Sequence, residues 1–241
     1  MAHRLVRVRT KRKLDPAIHQ EFGRKLRVWF RRNSRDLPWR RTRDAYEVLV
    51  SELMLQQTQV SRVVIKYGEF LEQFPTLADV ARAKPARVME AWSGLGYYAR
   101  ARNLHKLAKH VTNDGLDPTR KIPHDTESLR ALPGIGAYTA GAVSSFAYER
   151  RAALVDTNVA RVIKRVFVPS ADLKTSKGQK AVWAIAETIL PRTGKATWTH
   201  NQAIMELGAL VCTARVAHCG KCPVNTLCRS AVPKPAVGDR P

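Results

Sequence analysis

Apolar residues recur at intervals of three and four along most of the chain, the spacing of helices that bury one face. Over 18–30 the residues Phe22, Leu26, Trp29 and Phe30 share a stripe, and Asn33-Ser34-Arg35-Asp36-Leu37-Pro38-Trp39 then breaks it. The pattern predicts helices over 46–58 and 60–74, the second ended by Pro75. Thr76 with Asp79 three residues later has the form of a helix start. Shorter helices are expected near 86–92, 99–112 and 126–131, and stronger ones over 137–148, 158–167, 177–190 and 198–211. The best strand-like run, Ala152-Ala153-Leu154-Val155, is short and lies between helices. The fold class expected is all-α, built of packed helices with short connections.

Composition changes the picture in one respect. The 241 residues fit one to two domains and are 44% hydrophobic, as in an ordinary globular chain. Lys and Arg number 42 against 20 Asp and Glu, a formal charge of +22. Such an excess points to a polyanionic partner, nucleic acid before an anionic membrane surface. No apolar run approaches the ~18 residues of a membrane span, so none is expected. Residues 1–15 carry Arg4, Arg7, Arg9, Lys11, Arg12 and Lys13 without an apolar core behind them. That is the pattern of a basic disordered tail rather than a secretory leader. The Pro-rich stretch 230–241 is expected to be disordered as well.

All four cysteines are Cys212, Cys219, Cys222 and Cys228, spaced C-x6-C-x2-C-x5-C. A disulfide framework would be spread through the chain, whereas this cluster suits a metal centre in a reducing compartment. Zinc sites usually pair two short knuckles. Here one short knuckle is flanked by wider gaps that wrap a larger object, which favours a [4Fe–4S] cube over zinc. Arg215, His218 and Lys221 lie beside these cysteines, either as phosphate contacts or as plain solvated charges.

Leu132-Pro133-Gly134-Ile135-Gly136 separates a short helix from a longer one. Gly134 and Gly136 allow a tight turn and leave backbone N–H groups uncovered at a helix start, where an anion is favoured. Helices on both sides make this a helix-hairpin-helix pattern over 126–148, a sequence-neutral clamp on the DNA backbone. Gly94 and Gly96 flank Leu95 in a second loop suited to close approach to DNA. Glu52 stands alone among Val48, Leu49, Val50, Leu53, Met54 and Leu55, surroundings that would raise its pKa if its side chain shares them. Asp156 precedes an expected helix start and suits an N-cap.

These motifs resemble the endonuclease III superfamily of DNA glycosylases and, more closely, adenine DNA glycosylases of the MutY type. The resemblance is carried by Leu37-Pro38-Trp39-Arg40, the run from Ser51 through Gln56-Gln57-Thr58-Gln59 to Val60, Gly94-Leu95-Gly96-Tyr97-Tyr98 and onward to Leu104, the hairpin, Val155-Asp156-Thr157-Asn158-Val159 and the cysteine spacing. It covers roughly residues 20–230. It implies a barrel lobe of six helices over 39–150 and a [4Fe–4S] lobe from 16–38 and 151–229, with the catalytic cleft between them. Glu52 would protonate the departing base, Asp156 would stabilise the cationic sugar, and Asn158 would orient them. Tyr138 stands where bifunctional relatives carry a nucleophilic lysine, which implies a monofunctional enzyme that leaves an abasic site. Gln57 and Tyr97 would fill the gap left by the extruded base, and Leu95, Gly134, Gly136 and Arg215 would complete the DNA contacts.

The partner implied is double-stranded DNA with a mismatch or damaged base, met by a monomer in a prokaryotic cytoplasm at the nucleoid. Adenine enzymes usually add a C-terminal domain that reads 8-oxoguanine. The sequence ends soon after Cys228, so that domain is expected to be absent. A mismatch thymine or uracil glycosylase of the same fold is the alternative, which the Gln56-Gln57-Thr58-Gln59 run disfavours. A non-catalytic iron–sulfur or zinc DNA-binding protein is the alternative of another class, and it would need neither carboxylate.

Overall fold

The computed structural model describes residues 15–231 apart from 118 and 120. Both expected tails lie almost wholly outside the described residues. Their inner edges are ordered, contrary to expectation. Asp15 caps the first helix by accepting from the Ala17 N–H at 2.9 Å, and the Ser230 N–H donates to the Arg165 carbonyl at 3.1 Å.

The helices are α1 (Pro16–Asn33), α2 (Ala45–Leu55), α3 (Val60–Gln73), α4 (Leu77–Arg82), α5 (Pro85–Ala91), α6 (Ala99–Val111), α7 (Thr126–Arg130), α8 (Ala137–Phe146), α9 (Thr157–Phe167), α10 (Ser176–Thr188) and α11 (Gly194–Leu210). Single 3-10 turns lie at Pro38–Arg40, Cys219–Lys221 and Asn225–Leu227. Among the described residues there is no strand, only an isolated antiparallel bridge between Cys212 and Ala217. The all-α expectation holds. No helix among these residues is long and apolar enough to cross a membrane.

α2 is the axis of the first group of helices. It packs on α3, α6 and α8, and its residues from Val48 to Met54 are all buried. A helix apolar on every side belongs inside, and Glu52 is the one carboxylate this run takes with it. The spacing had extended α2 to 58, but the helix ends at Leu55. Gln56 is extended and Gln57 turns left-handed at φ 56°. The cause lies on α6, where the Arg100 guanidinium binds the carbonyls of Leu53, Met54 and Gln56, satisfying the helix end.

The second group pairs the two ends of the chain. α1 lies on α11, and α11 on α9, with α10 against α9. Phe22 meets the Phe167 ring edge-on at 5.0 Å between centroids. α8 and α11 also touch, which joins the groups. The strand-like run 152–155 is a connector without a ladder. Gly141 on α8 admits it, because a Cβ there would lie 2.0 Å from the Ala153 carbonyl oxygen. Gly141→Ala is therefore expected to cost about 1–3 kcal/mol by overpacking, read from the urea midpoint. A change below a few tenths would show that the connector yields freely.

Candidate active site and cysteine pocket

A cavity of about 700 Å³ opens between α2, the α7–α8 turn, the start of α9 and α11. Glu52, Tyr138, Asp156 and Asn158, far apart in sequence, all line it. Glu52 is 3% exposed. Burial pushes its carboxyl up to about 7, aided by nearby Asp156 and opposed by a hydrogen bond from Tyr138 and by the Arg40 charge. The Tyr138 hydroxyl donates to Glu52 Oε2 at 2.6 Å.

Asp156 is the N-cap of α9 and accepts from the Val159 N–H at 2.6 Å. The Asn158 amide donates to its other oxygen at 3.0 Å. Burial raises the Asp156 pKa, and these two donors with the Arg161 charge pull the other way. Asn158 is held in turn by Arg161, which donates to its Oδ1 at 2.7 Å. The same guanidinium reaches the Gly208 and Cys212 carbonyls at 2.7 and 2.8 Å. One arginine thus ties the floor of the cavity to the root of the cysteine loop.

A further group was missed from sequence. Arg40 in the 3-10 turn donates to Glu206 Oε2 at 2.8 Å and to Gln202 Oε1 at 2.9 Å. Arg35 grips the same Glu206 carboxylate through Nε at 2.9 Å and Nη2 at 2.8 Å. Burial alone would raise the Glu206 pKa, but the Arg35 and Arg40 hydrogen bonds hold it down at about 2. A lone acid in the apolar run Ile204-Met205-Glu206-Leu207 was the available signal, the one that had marked Glu52.

The expected DNA-facing residues divide. Gln57, Gly134 and Gly136 line the cavity. Only Gly134 needs to be glycine for its backbone, at φ 77°, where a Cβ would also fall 2.6 Å from Asn103 Cβ. Gly136 is extended at φ −89° and precedes α8 with no side-chain cap, and a Cβ there would meet nothing within 4 Å. It leaves a helix start open rather than making the turn. Tyr97 is exposed and left-handed at φ 46° beside Gly94 and Gly96, outside the cavity lining. Leu95 departs from expectation: it is only 3% exposed, so it anchors its loop in the core and offers no side chain to a partner.

The four cysteines form no disulfide and line a second cavity of about 420 Å³, with Val162, Val166, Leu207 and Val211 among its walls. Burial pushes the Cys222 thiol up to about 11 and raises Cys228 too. Arg165 supports the loop from below, donating to the Thr213 carbonyl at 2.7 Å and reaching Cys212 Sγ at 3.3 Å. Arg215 is exposed on the loop and lines the cavity mouth. Among the described residues no three His, Cys, Asp or Glu side chains converge closely enough for a single ion.

An enclosed acid and a capped carboxylate in one cavity beside a helix-hairpin-helix turn define a two-carboxylate site on an all-α scaffold. The family profile described as "HhH-GPD superfamily base excision DNA repair protein" matches residues 50–188. The chain belongs to that superfamily. It is 44% identical over 201 residues to the adenine DNA glycosylase of Mycolicibacterium smegmatis, covering 83% of this chain and 66% of that protein. It is 41% identical over 225 residues to the adenine DNA glycosylase of Homo sapiens, covering 90% of this chain and 40% of that one. The chain therefore spans about half the length of these relatives. Its structure matches a thermostable thymine-DNA glycosylase with TM-score 0.79 and 30% identity, over 89% of this chain and 97% of the other. A trapped endonuclease III–DNA covalent intermediate has TM-score 0.73 at 24% identity, over 91% and 98%, and shares the fold.

Proposed function

We propose that the chain is a monofunctional DNA glycosylase that hydrolyses the N-glycosidic bond of a mispaired adenine, opposite guanine or 8-oxoguanine, and leaves an abasic site. The observation that carries this reading is the Glu52 carboxyl, buried, held near neutrality and hydrogen-bonded to Tyr138 opposite Asp156. Base release breaks the C1′–N bond, and the electron pair leaves with the base. A carboxylic acid kept protonated near pH 7 quenches that charge at a ring nitrogen. The sugar becomes oxocarbenium-like and needs an anion on its other side. Asp156 would fill that role: burial raises its pKa, and the α9 N-terminus, Asn158 and the Arg161 charge act against that rise in favour of the ionised form. Water then bonds to C1′ and passes its proton to the Glu52 carboxylate left by the first step, which restores the acid. Tyr138 has no amine for a Schiff base, so the strand stays intact.

The 40–44% identical relatives support adenine as the base. The thymine-DNA glycosylase match over nearly that whole chain keeps thymine or uracil opposite guanine as the second reading. Duplexes with A, T or U opposite guanine or 8-oxoguanine, treated with alkali after incubation, decide between them. Release of thymine without adenine would move the assignment.

α2–α8 would form the barrel lobe over 39–150 and α1 with α9–α11 the second lobe over 16–38 and 151–229. All four catalytic side chains come from one copy, which suits a monomer working on nucleoid DNA. Four thiols spread around an apolar chamber fit a polynuclear iron–sulfur cluster better than one ion. Cys212, Cys219, Cys222 and Cys228 would hold a [4Fe–4S] cluster, which would tie the two ends of the cysteine loop to each other. Stoichiometric zinc without iron or sulfide in anaerobically purified protein would overturn this.

The charge of +22 and the open α8 start imply a phosphate-dominated interface. The logarithm of affinity is expected to fall linearly with log salt, from 50 to 200 mM, as counterions are released. Gly136→Val is expected to weaken binding to every duplex by about tenfold, the worth of one backbone-to-charge hydrogen bond. A flat salt plot, or a loss that depends on sequence, would count against the clamp.

A further inference from the structure

Two loops meet on one buried side chain. The Arg100 guanidinium is 7% exposed and lies in the first turn of α6. From the last turn of α2 it takes the Leu53 and Met54 carbonyls at 2.8 Å, and from the loop that follows the Gln56 carbonyl and Thr58 Oγ1 at 3.2 Å. From the loop before α6 it takes the Leu95, Gly96 and Tyr97 carbonyls at 3.1, 2.9 and 3.3 Å. None of these oxygens belongs to a carboxylate. The cation also lies 5.6 Å from the Trp92 ring centre and 5.5 Å from that of Tyr97. Two further contacts bind the loops: Thr58 Oγ1 to the Leu95 carbonyl at 3.3 Å, and Arg62 to the Gly94 carbonyl at 3.0 Å.

Each loop exposes one non-glycine residue at left-handed φ, Gln57 at 56° and Tyr97 at 46°. Such a backbone is disfavoured and persists only where its surroundings impose it. A buried charge is likewise costly unless its hydrogen bonds are satisfied. Here the two features offset one another, because four of the carbonyls that solvate the cation, those of Gln56, Leu95, Gly96 and Tyr97, belong to the two strained loops. An ammonium has three donors and no plane, and cannot span the same set.

We propose that Arg100 is a positioning residue that clips the Gln57 and Tyr97 loops into one preformed element, so that both side chains stand ready to enter an opened duplex before DNA arrives. The inference rests on the glycosylase reading and adds to it the residue that organises base extrusion. Without the clip the loops would be ordered during binding, at the expense of the step that unstacks the base.

The test compares wild type, Arg100→Lys and Thr58→Val on two duplexes. In one the target adenine is paired with guanine. In the other it faces an abasic site, where extrusion is nearly free. A 2-aminopurine beside the target reports unstacking by its fluorescence, independently of excision. Arg100→Lys is expected to bind, to show a smaller fluorescence rise on the paired duplex, and to excise from it about 10–100-fold more slowly, the cost of a small misplacement. On the abasic-opposed duplex the loss should stay within about threefold. Thr58→Val should shift the same ratio by less, and it decides the matter if Arg100→Lys melts below the assay temperature. Equal losses on both duplexes, or a wild-type fluorescence rise in the folded variant, overturn the proposal. A wild type that releases no adenine from either duplex refutes the adenine reading, while the fluorescence still decides the clip.

Discussion

Glu52→Gln is expected to slow single-turnover adenine excision by about 10²–10⁴-fold while duplex affinity survives. Gln keeps the oxygen that accepts from Tyr138 at 2.6 Å, so the site stays built and only the proton is lost. The pH dependence follows the same group. The Glu52 pKa is raised to about 7 in the folded chain, so the acid form dominates below 7, and excision should fall as pH rises through that value. Stability has the same sign. A carboxylate whose pKa is raised on folding leaves stability intact below its unfolded pKa near 4.5 and lost progressively up to about 7. Glu52→Gln removes that loss, so the variant should unfold later than wild type at pH 8, by about 1–3 kcal/mol. An enzyme that is slower and more stable above neutrality is the signature of a strained catalytic acid. Full activity in Glu52→Gln would refute the acid assignment.

The second large effect is structural. Glu206 is 1% exposed and lies between two guanidinia. Glu206→Gln leaves both cations without a counter-charge at the junction of α11 with the 34–40 segment. Removing one partner of a buried ion pair costs about 3–5 kcal/mol, so the urea midpoint should fall markedly. The Glu206 pKa is depressed to about 2 in the folded chain. Its contribution is thus complete above the unfolded carboxylate range and fades as pH drops toward 2. A loss below about 1 kcal/mol would mean that water already serves the site.

The helices were legible because their apolar stripes are local. Starts marked by Asp156 and by the Thr76–Asp79 pair fall where the caps predict, and the expected 99–112 and 158–167 helices end or begin within a residue of α6 and α9. What could not be read was imposed from a distance. Gln56-Gln57-Thr58 continues a helical pattern, and the stop comes from Arg100, far along the chain. Glu52 was legible because a lone acid in an apolar run is anomalous by itself. Arg35, Arg40 and Arg161 resemble any basic residue on a helix or turn, and their meaning lies in the partners that folding supplies. Leu95 was misjudged for the converse reason: flanking glycines marked a loop at the surface, and the loop turns its apolar residue inward.

The pairing of α1 with α11 bears on how the chain is made. The helices of the first group, α2–α8, have their partners within that group once Phe146 is made. The stripe of Phe22, Leu26 and Phe30 must wait for Gly194–Leu210, which at typical elongation rates takes on the order of ten seconds. Throughout that interval the stripe lacks its main cover, with only Phe167 of α9 available to Phe22 in the later part of it. Arg24 is paired with Glu21, but Arg31 and Arg32 at the end of α1 are exposed, a like charge expected to keep nascent copies on one polysome apart.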